Sequence, residues 1–197
     1  MLNPDTCGIE VSAKTLLLRL RRKGTLEPTR EYPNTAPGHK GVLRYLVKAG
    51  RSVRVCMEAT GTYGLDLAMR LSAEPEVELA VLNPRASRRF AEALQVRSKT
   101  DLLDVDVLEQ YALRMPLERW TPPSPRALEL RALTRRLTTN TKTATAEANR
   151  LHAARATEET PAAVLEDLEA SLEQLRKARQ TLLKAASATI EQDPELL

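Results

Sequence analysis

Aromatic side chains are scarce in this sequence: one tryptophan, one phenylalanine and four tyrosines among 197 residues. A core must therefore be aliphatic, and the aliphatic stretches concentrate in residues 1–115, while the last third reads as plain helix former. Cysteine and histidine are equally thin, two of each. Cys7 and Cys56 sit singly inside apolar stretches with no CxxC spacing, which excludes a disulfide framework and a zinc cluster and leaves both thiols as small core residues. Missing too is any apolar run near the roughly 18 residues that span a bilayer, as is the basic-then-apolar layout of a secretory signal. The expectation is a cytoplasmic protein with no membrane partner.

What is present suits one substantial core and an extension: 42% hydrophobic and 28% charged residues in a chain of this length. Residues 7–20 place β-branched and apolar residues on either side of a small polar break at Ser12–Lys14 and predict a hairpin, with a third strand over 25–33. Val42, Leu43, Leu46 and Val47 lie at helical spacing within a helix expected from Gly38 to Ala49, ended by Gly50. Ser52–Met57 reads as a strand, Tyr63–Leu71 as a helix, and Val77–Leu82 as a strand buried on both faces. Asn83–Pro84 then opens another helix. An opening meander followed by alternating strands and helices predicts an α/β fold with a mixed sheet flanked by helices.

The segment 121–125, Thr-Pro-Pro-Ser-Pro, admits no continuous helix and is the expected boundary between a domain at 1–120 and a helical segment at 126–197. Beyond it Leu133, Leu137, Ala144, Ala148 and Leu151, then Leu165, Leu168, Leu172, Leu175, Leu182 and Ala186, recur at heptad steps on either side of Thr160–Pro161. Residues 126–155 carry seven basic side chains against Glu129 and Glu147, whereas 156–197 carry nine acids against four bases. Opposite charge favours pairing of the two helices as an all-α coiled-coil hairpin, within one chain or between copies.

The net charge is +4, unevenly spread. From Val81 to Thr100 stand Arg85, Arg88, Arg89, Arg97 and Lys99 against Glu92 alone. This is a candidate phosphate-contacting face.

Carboxylates fall at the ends of elements. Glu10 closes the first strand, Glu58 follows the strand after the crossover, and Asp101 and Asp104 open a later helix on one face. Strand ends are where open α/β sheets bind ligands. Four carboxylates brought together repel one another unless cations neutralise them, and hard oxygen donors select Mg²⁺ or Mn²⁺. Two such ions activate a hydroxyl and stabilise a leaving phosphodiester oxygen. Asp106, two residues past Asp104, is expected to face solvent.

The segments GIEVS at 8–12, EATGTYG at 58–64, Asn83–Pro84, KTDLLD at 99–104 and Tyr111–Ala112 together resemble the DEDD transposases of insertion sequences, the family of the pilin-gene invertase and the bridge-RNA-guided recombinases. The resemblance covers roughly residues 1–115. It implies an RNase H-like (RuvC-type) domain whose acids Glu10, Glu58, Asp101 and Asp104 bind Mg²⁺ (or Mn²⁺) and act on DNA. It also implies a guide RNA and assembly of dimers or tetramers through the coiled coil. Lys99 and Thr100 would flank the acids and contact nucleic acid with Arg85, Arg88, Arg89 and Arg97, while Thr60 and Gly61 shape the loop. At the first acidic position the family usually has Asp; here Glu10 is longer by a methylene. The family's catalytic serine belongs to a further domain, so no nucleophilic serine is expected within these 197 residues, Ser12 and Ser98 read as turn residues, and complete recombination is not expected from this chain alone.

A second reading is a catalytically silent nucleic-acid-binding and oligomerisation module. A third, a structural coiled-coil protein whose α/β head resembles acetate and sugar kinases, lacks support, because no glycine-rich phosphate loop is present beyond the short GTYG at 61–64.

Overall fold

A computed structural model describes residues 4–48, 50–59, 61–95 and 101–192, with Asp101 described in its backbone only. Within it the chain falls into two compact units, residues 1–122 and 123–197.

The first unit opens on the hairpin of β1 (Asp5–Val11) and β2 (Thr15–Arg22), turned at Ser12, whose hydroxyl accepts from Thr15 N at 2.9 Å. The third strand expected over 25–33 is broken in two, β3 (Thr25–Leu26) and β4 (Arg30–Pro33), both antiparallel to β2. Pro28 stands in the gap, where it has no N–H to give to a ladder. The helix α1 (Ala36–Leu46) is capped by Thr35 and has Pro37 in its first turn. It ends earlier than the spacing suggests. β5 (Val53–Glu58), α2 (Leu65–Ser72) and β6 (Val77–Leu82) follow, then α3 (Pro84–Ala93), capped by Asn83, and α4 (Asp101–Arg114).

The sheet runs β3-β2-β1-β5-β6, with β4 also on β2; β1, β5 and β6 are parallel and the hairpin side is antiparallel. This is the mixed α/β arrangement of an RNase H-like fold. Alternation sorts the side chains onto two faces. Cys7, Ile9, Val11, Val53, Val55, Met57 and Leu79 meet Val42, Leu46, Leu67 and Leu71 of α1 and α2 on one face. On the other, Cys56, Ala80 and Leu82 meet Leu108 and Ala112 of α4. Both thiols are free and buried, as expected, and burial pushes the Cys56 thiol up to about 12. After α4 the chain returns along β6, where Trp120 N donates to Leu79 O at 2.7 Å and covers that edge.

The second unit is a pair of helices, α5 (Pro125–Ala154) and α6 (Ala162–Glu191), packed on each other. Pro125, read as the end of the break, is the first residue of α5, and Ser124 caps it. The α5 seam differs by one seat from the apolar count: Ala148 is exposed, while Asn140 is buried and Glu147 half-buried. Counting apolar residues alone passes over both polar ones. The one ion pair seen between the helices among the described residues joins Arg155 to Glu169 at 2.7 Å. No helix of the described residues is long and apolar enough to cross a membrane.

Candidate functional site

Parallel pairing of β1 with β5 matches Ile9 to Met57. One step further along the same register sets Glu10 beside Glu58, so both half-buried carboxylates leave the carboxyl end of the sheet on one face. Glu58 is held by the ladder on its other side, opposite Leu82, and Ala59 N continues that ladder to Leu82 O at 2.9 Å. Its Oε2 lies 2.9 Å from the hydroxyl of Ser87, a buried residue of α3, which also lies 3.1 Å from the Pro84 carbonyl; the single hydroxyl proton serves one acceptor at a time.

The face that carries both glutamates is the one α4 covers. Gly8, two residues before Glu10, is where the helix touches the sheet: a Cβ there would fall inside van der Waals contact with the Val105 carbonyl, Glu109 N and Leu108 Cβ. No residue but glycine fits without moving the helix. Glu109 reaches Thr6 near the start of β1, while Val105, a turn earlier in α4, lies over Gly8. The helix therefore runs antiparallel to β1, and its first turn, with Asp101 and the half-buried Asp104, points toward the end of β1 where Glu10 stands. Tyr111 and Ala112 fix this placement. Ala112 is buried against the sheet, and Tyr111 meets Phe90 of α3 edge to face at 5.0 Å.

Of the expected basic residues, Arg85, Arg88 and Arg89 are exposed on α3. Arg88 shares a surface ion pair with Glu92 at 3.3 Å, which is worth little in water. Arg97, Lys99 and Thr100, together with Thr60, Ser98 and the side chain of Asp101, lie outside the described residues. Gly61 has φ of 67°, the left-handed region that glycine enters freely. Asp106, expected in solvent, is half-exposed and paired with Arg19 at 2.9 Å. Among the described residues no three His, Cys, Asp or Glu side chains stand close enough together to hold a metal ion.

Three groups escape a reading of the sequence. Glu109 is buried in α4 and accepts from Thr6 Oγ1 at 2.7 Å, from Arg21 Nε and Nη2 at 2.8 and 3.1 Å, and from Gln110 Nε2 at 2.8 Å. Its signal is an acid at a helical step from Val105 and from Ala112. Asp5, buried at the amino end of β1, accepts from Arg51 Nη2 at 2.9 Å, Lys23 N at 3.0 Å and Arg22 Nη1 at 3.4 Å. Burial works to raise its carboxyl, but the Arg51 and Lys23 hydrogen bonds with the charges of Arg51 and Arg22 outweigh it and hold it below its ordinary 3.8.

The third group is Asn34. Its amide donates to Ser12 O at 2.8 Å and to Tyr63 O at 3.0 Å, and its carbonyl lies 2.7 Å from Nε2 of the buried His39. It ties the turn after Glu10 to the loop after Glu58. An amide oxygen accepts, so Nε2 carries the proton and Nδ1, without a hydrogen-bond partner among the described residues, does not. Burial above all, then the charge of Arg70, depresses the imidazole below 6.5 against the opposing pull of Asp66.

A curated protein, the pilin gene-inverting protein of Moraxella bovis, is 30% identical over 82 residues, covering 42% of this chain and 25% of that protein. The chain thus matches about a quarter of the length of that relative. Among solved structures, the Ppx/GppA family member of Aquifex aeolicus is similar over 45% of this chain and 38% of its own, at 11% identity and a TM-score of 0.29, a likeness too distant to carry weight. The family model for transposases of the DEDD, IS110 type matches residues 7–155, three quarters of the sequence and every segment from the first strand to the end of α5, and the chain belongs to that transposase family.

Proposed function

We propose that residues 4–122 form the acidic metal-binding part of a DNA transposase or recombinase, in which Glu10, Glu58, Asp101 and Asp104 hold Mg²⁺ or Mn²⁺. The observation that carries this reading is the register of β1 against β5, which puts two glutamates side by side at a strand end toward which the acidic first turn of α4 points. The donor set is all carboxylate oxygen, which suits a hard divalent cation. When bound, that cation supplies Lewis acidity to a phosphodiester and lowers the pKa of an attacking hydroxyl.

The remaining parts have separate work. Ser87 orients Glu58, Asn34 holds the two neighbouring loops, and Gly8 sets the height of α4 above the sheet. Arg85, Arg88, Arg89, Arg97, Lys99 and Thr100 contact DNA and a guide RNA. The helical hairpin assembles copies of the chain as a coiled coil. None of its serines is assigned as nucleophile: Ser12 serves a turn and Ser87 serves Glu58.

A second reading is favoured by one observation, that no three described acidic side chains already stand within reach of one ion. In it the chain binds nucleic acid and oligomerises without a working metal site. Calorimetric titration of the full chain with Mn²⁺ and Mg²⁺, alone and with DNA present, decides between them. Binding that Asp101→Asn and Asp104→Asn abolish supports the metal site. No binding up to millimolar metal, with DNA or without, overturns it in favour of the silent module.

A further inference from the structure

On the face of the sheet away from α3 and α4 lies a second cationic surface. It is a cavity of about 610 Å³ between α1 and the β2–β3–β4 edge, lined by five cationic side chains and one carboxylate, Glu27. That volume lies in the usual range for ligand sites, roughly 300–1,000 Å³.

We propose that this cavity binds the phosphodiester backbone of a single nucleic-acid strand. The inference deepens the nucleic-acid reading above by giving the chain a second contact surface, remote from the α3 arginines.

The charge of the cavity is unbalanced in a specific way. Glu27 is already engaged, accepting from Tyr45 Oη at 2.6 Å and Arg22 Nε at 3.0 Å, and the Tyr45 hydrogen bond first, then Arg22, hold its carboxyl below 4.5 against burial. Arg22 in turn is committed to Glu27, Asp5 and the Tyr45 carbonyl and forms wall rather than ligand. Lys23, Arg30, Arg44 and Lys48 remain, all exposed, and no ion pair to any of them is seen among the described residues. The charge of Glu27 also acts on Arg30, so one carboxylate already shared with Arg22 and Tyr45 stands against the whole cationic lining, and that excess presents an anion site for more charge than a lone phosphate carries.

Placement favours a strand. Arg44 stands in the last turn of α1 and Lys48 two residues past its end, and both line the cavity, so the pair can meet neighbouring phosphates. Lys23 projects from a fixed turn, its φ of 50° followed by Gly24 at 82°, with its N–H tied to Asp5. Arg30 is held over the ring of Tyr45 at 4.4 Å, which pins its guanidinium beside the cavity. The half-buried Tyr32 also lines the cavity. Its ring lies so near α1 that a Cβ on Gly41 would come within 3.0 Å of it, so glycine at this position sets the depth. Aromatic side chains lining a cationic cavity are the combination by which single strands are held without sequence preference.

Fluorescence anisotropy on the full chain, with one short unstructured sequence made as RNA and as DNA, tests this. Arg44→Glu/Lys48→Glu is expected to weaken binding about tenfold or more and to flatten the salt slope by about 1.4, two single-strand phosphate contacts. The same charge change at Arg179→Glu/Lys184→Glu on α6 is expected to do far less. Should the reversal unfold the chain, Arg44→Gln/Lys48→Gln gives the same reading with a smaller loss. Dependence on the cavity for both strands supports shared recognition of phosphodiester, and dependence for one alone supports the site and identifies its strand. Unchanged affinity and slope, while Arg85→Ala/Arg88→Ala/Arg89→Ala weakens binding, overturn the cavity and leave the nucleic-acid reading standing. A wild-type chain that binds neither strand at low salt overturns both.

Discussion

The two ends of the parallel pair β1 and β5 use the same residue types to opposite ends. At the amino end Asp5 is buried under Arg22 and Arg51, and beside it Glu109 is buried under Arg21 and Thr6. At the carboxyl end Glu58 is half-buried, receives a serine hydroxyl, and has no ion pair among the described residues. A buried carboxylate wrapped by guanidinium is committed to structure, because removing either partner strands the other in low dielectric. A carboxylate left at a sheet end with only a neutral donor keeps its lone pairs for another ligand. Carboxylate count therefore says little about chemistry, and the neighbours decide.

The same substitution at both ends gives the sharpest test. Glu109→Gln is expected to destabilise the first unit by about 2–3 kcal/mol, the worth of hydrogen bonds to a charged group plus an uncompensated Arg21. Glu58→Gln is expected to stay within about 0.5 kcal/mol. Urea unfolding followed by circular dichroism measures both, and equal losses would erase the distinction between the two ends.

Gly8→Ala comes next, expected to cost about 1–3 kcal/mol as α4 is forced off the sheet. Because that shift also carries Asp104 away from the strand ends, metal affinity should fall with stability. A loss of stability with metal affinity intact would show that the height of α4 does not govern the acidic end.

The smallest effect is the pH response of His39. A folded imidazole depressed below 6.5 binds fewer protons than the unfolded one, so its share of stability is present above 6.5 and is lost as pH falls through that value toward the folded pKa. The urea midpoint should drop across that window, and His39→Gln should flatten the drop. An identical slope in the variant would assign the effect elsewhere.

Much of the fold is written locally. Val77–Leu82 is a strand with the bounds its apolar run suggests, and Asn83–Pro84 opens a helix through an ordinary cap. The hairpin expected over 7–20 shows in two apolar stretches that flank the polar break at Ser12–Lys14. Pro28 splits a strand that composition suggests is one, since alternation takes no account of a missing N–H. The strand-end places of Glu10 and Glu58 are legible because each follows an apolar run. Glu109 is hidden because an acid in a helix reads as solvent-facing until Arg21, 88 residues away, is folded against it. Asn34 and His39 are hidden for the same reason, since Ser12, Asn34 and Tyr63 meet only in space. The polar seat at Asn140 in α5 breaks no heptad rule and is lost when only apolar positions are counted.

The parallel pairing of β1 with β5 also orders events in time. Glu10 and Glu58 belong to strands joined by a crossover through β2, β3, β4 and α1, and the first turn of α4 comes more than forty residues after Glu58. Contacts this distant in sequence form late, because the chain entropy of closing the loop is lost before the contact returns anything. The hairpin of β1 and β2 closes early, and the acidic end exists as a unit only once the crossover and α4 have docked. A chain emerging from synthesis thus cannot bring the first turn of α4 toward the strand ends of Glu10 and Glu58 until residues past 104 are available, and the metal site proposed there is confined to the finished fold.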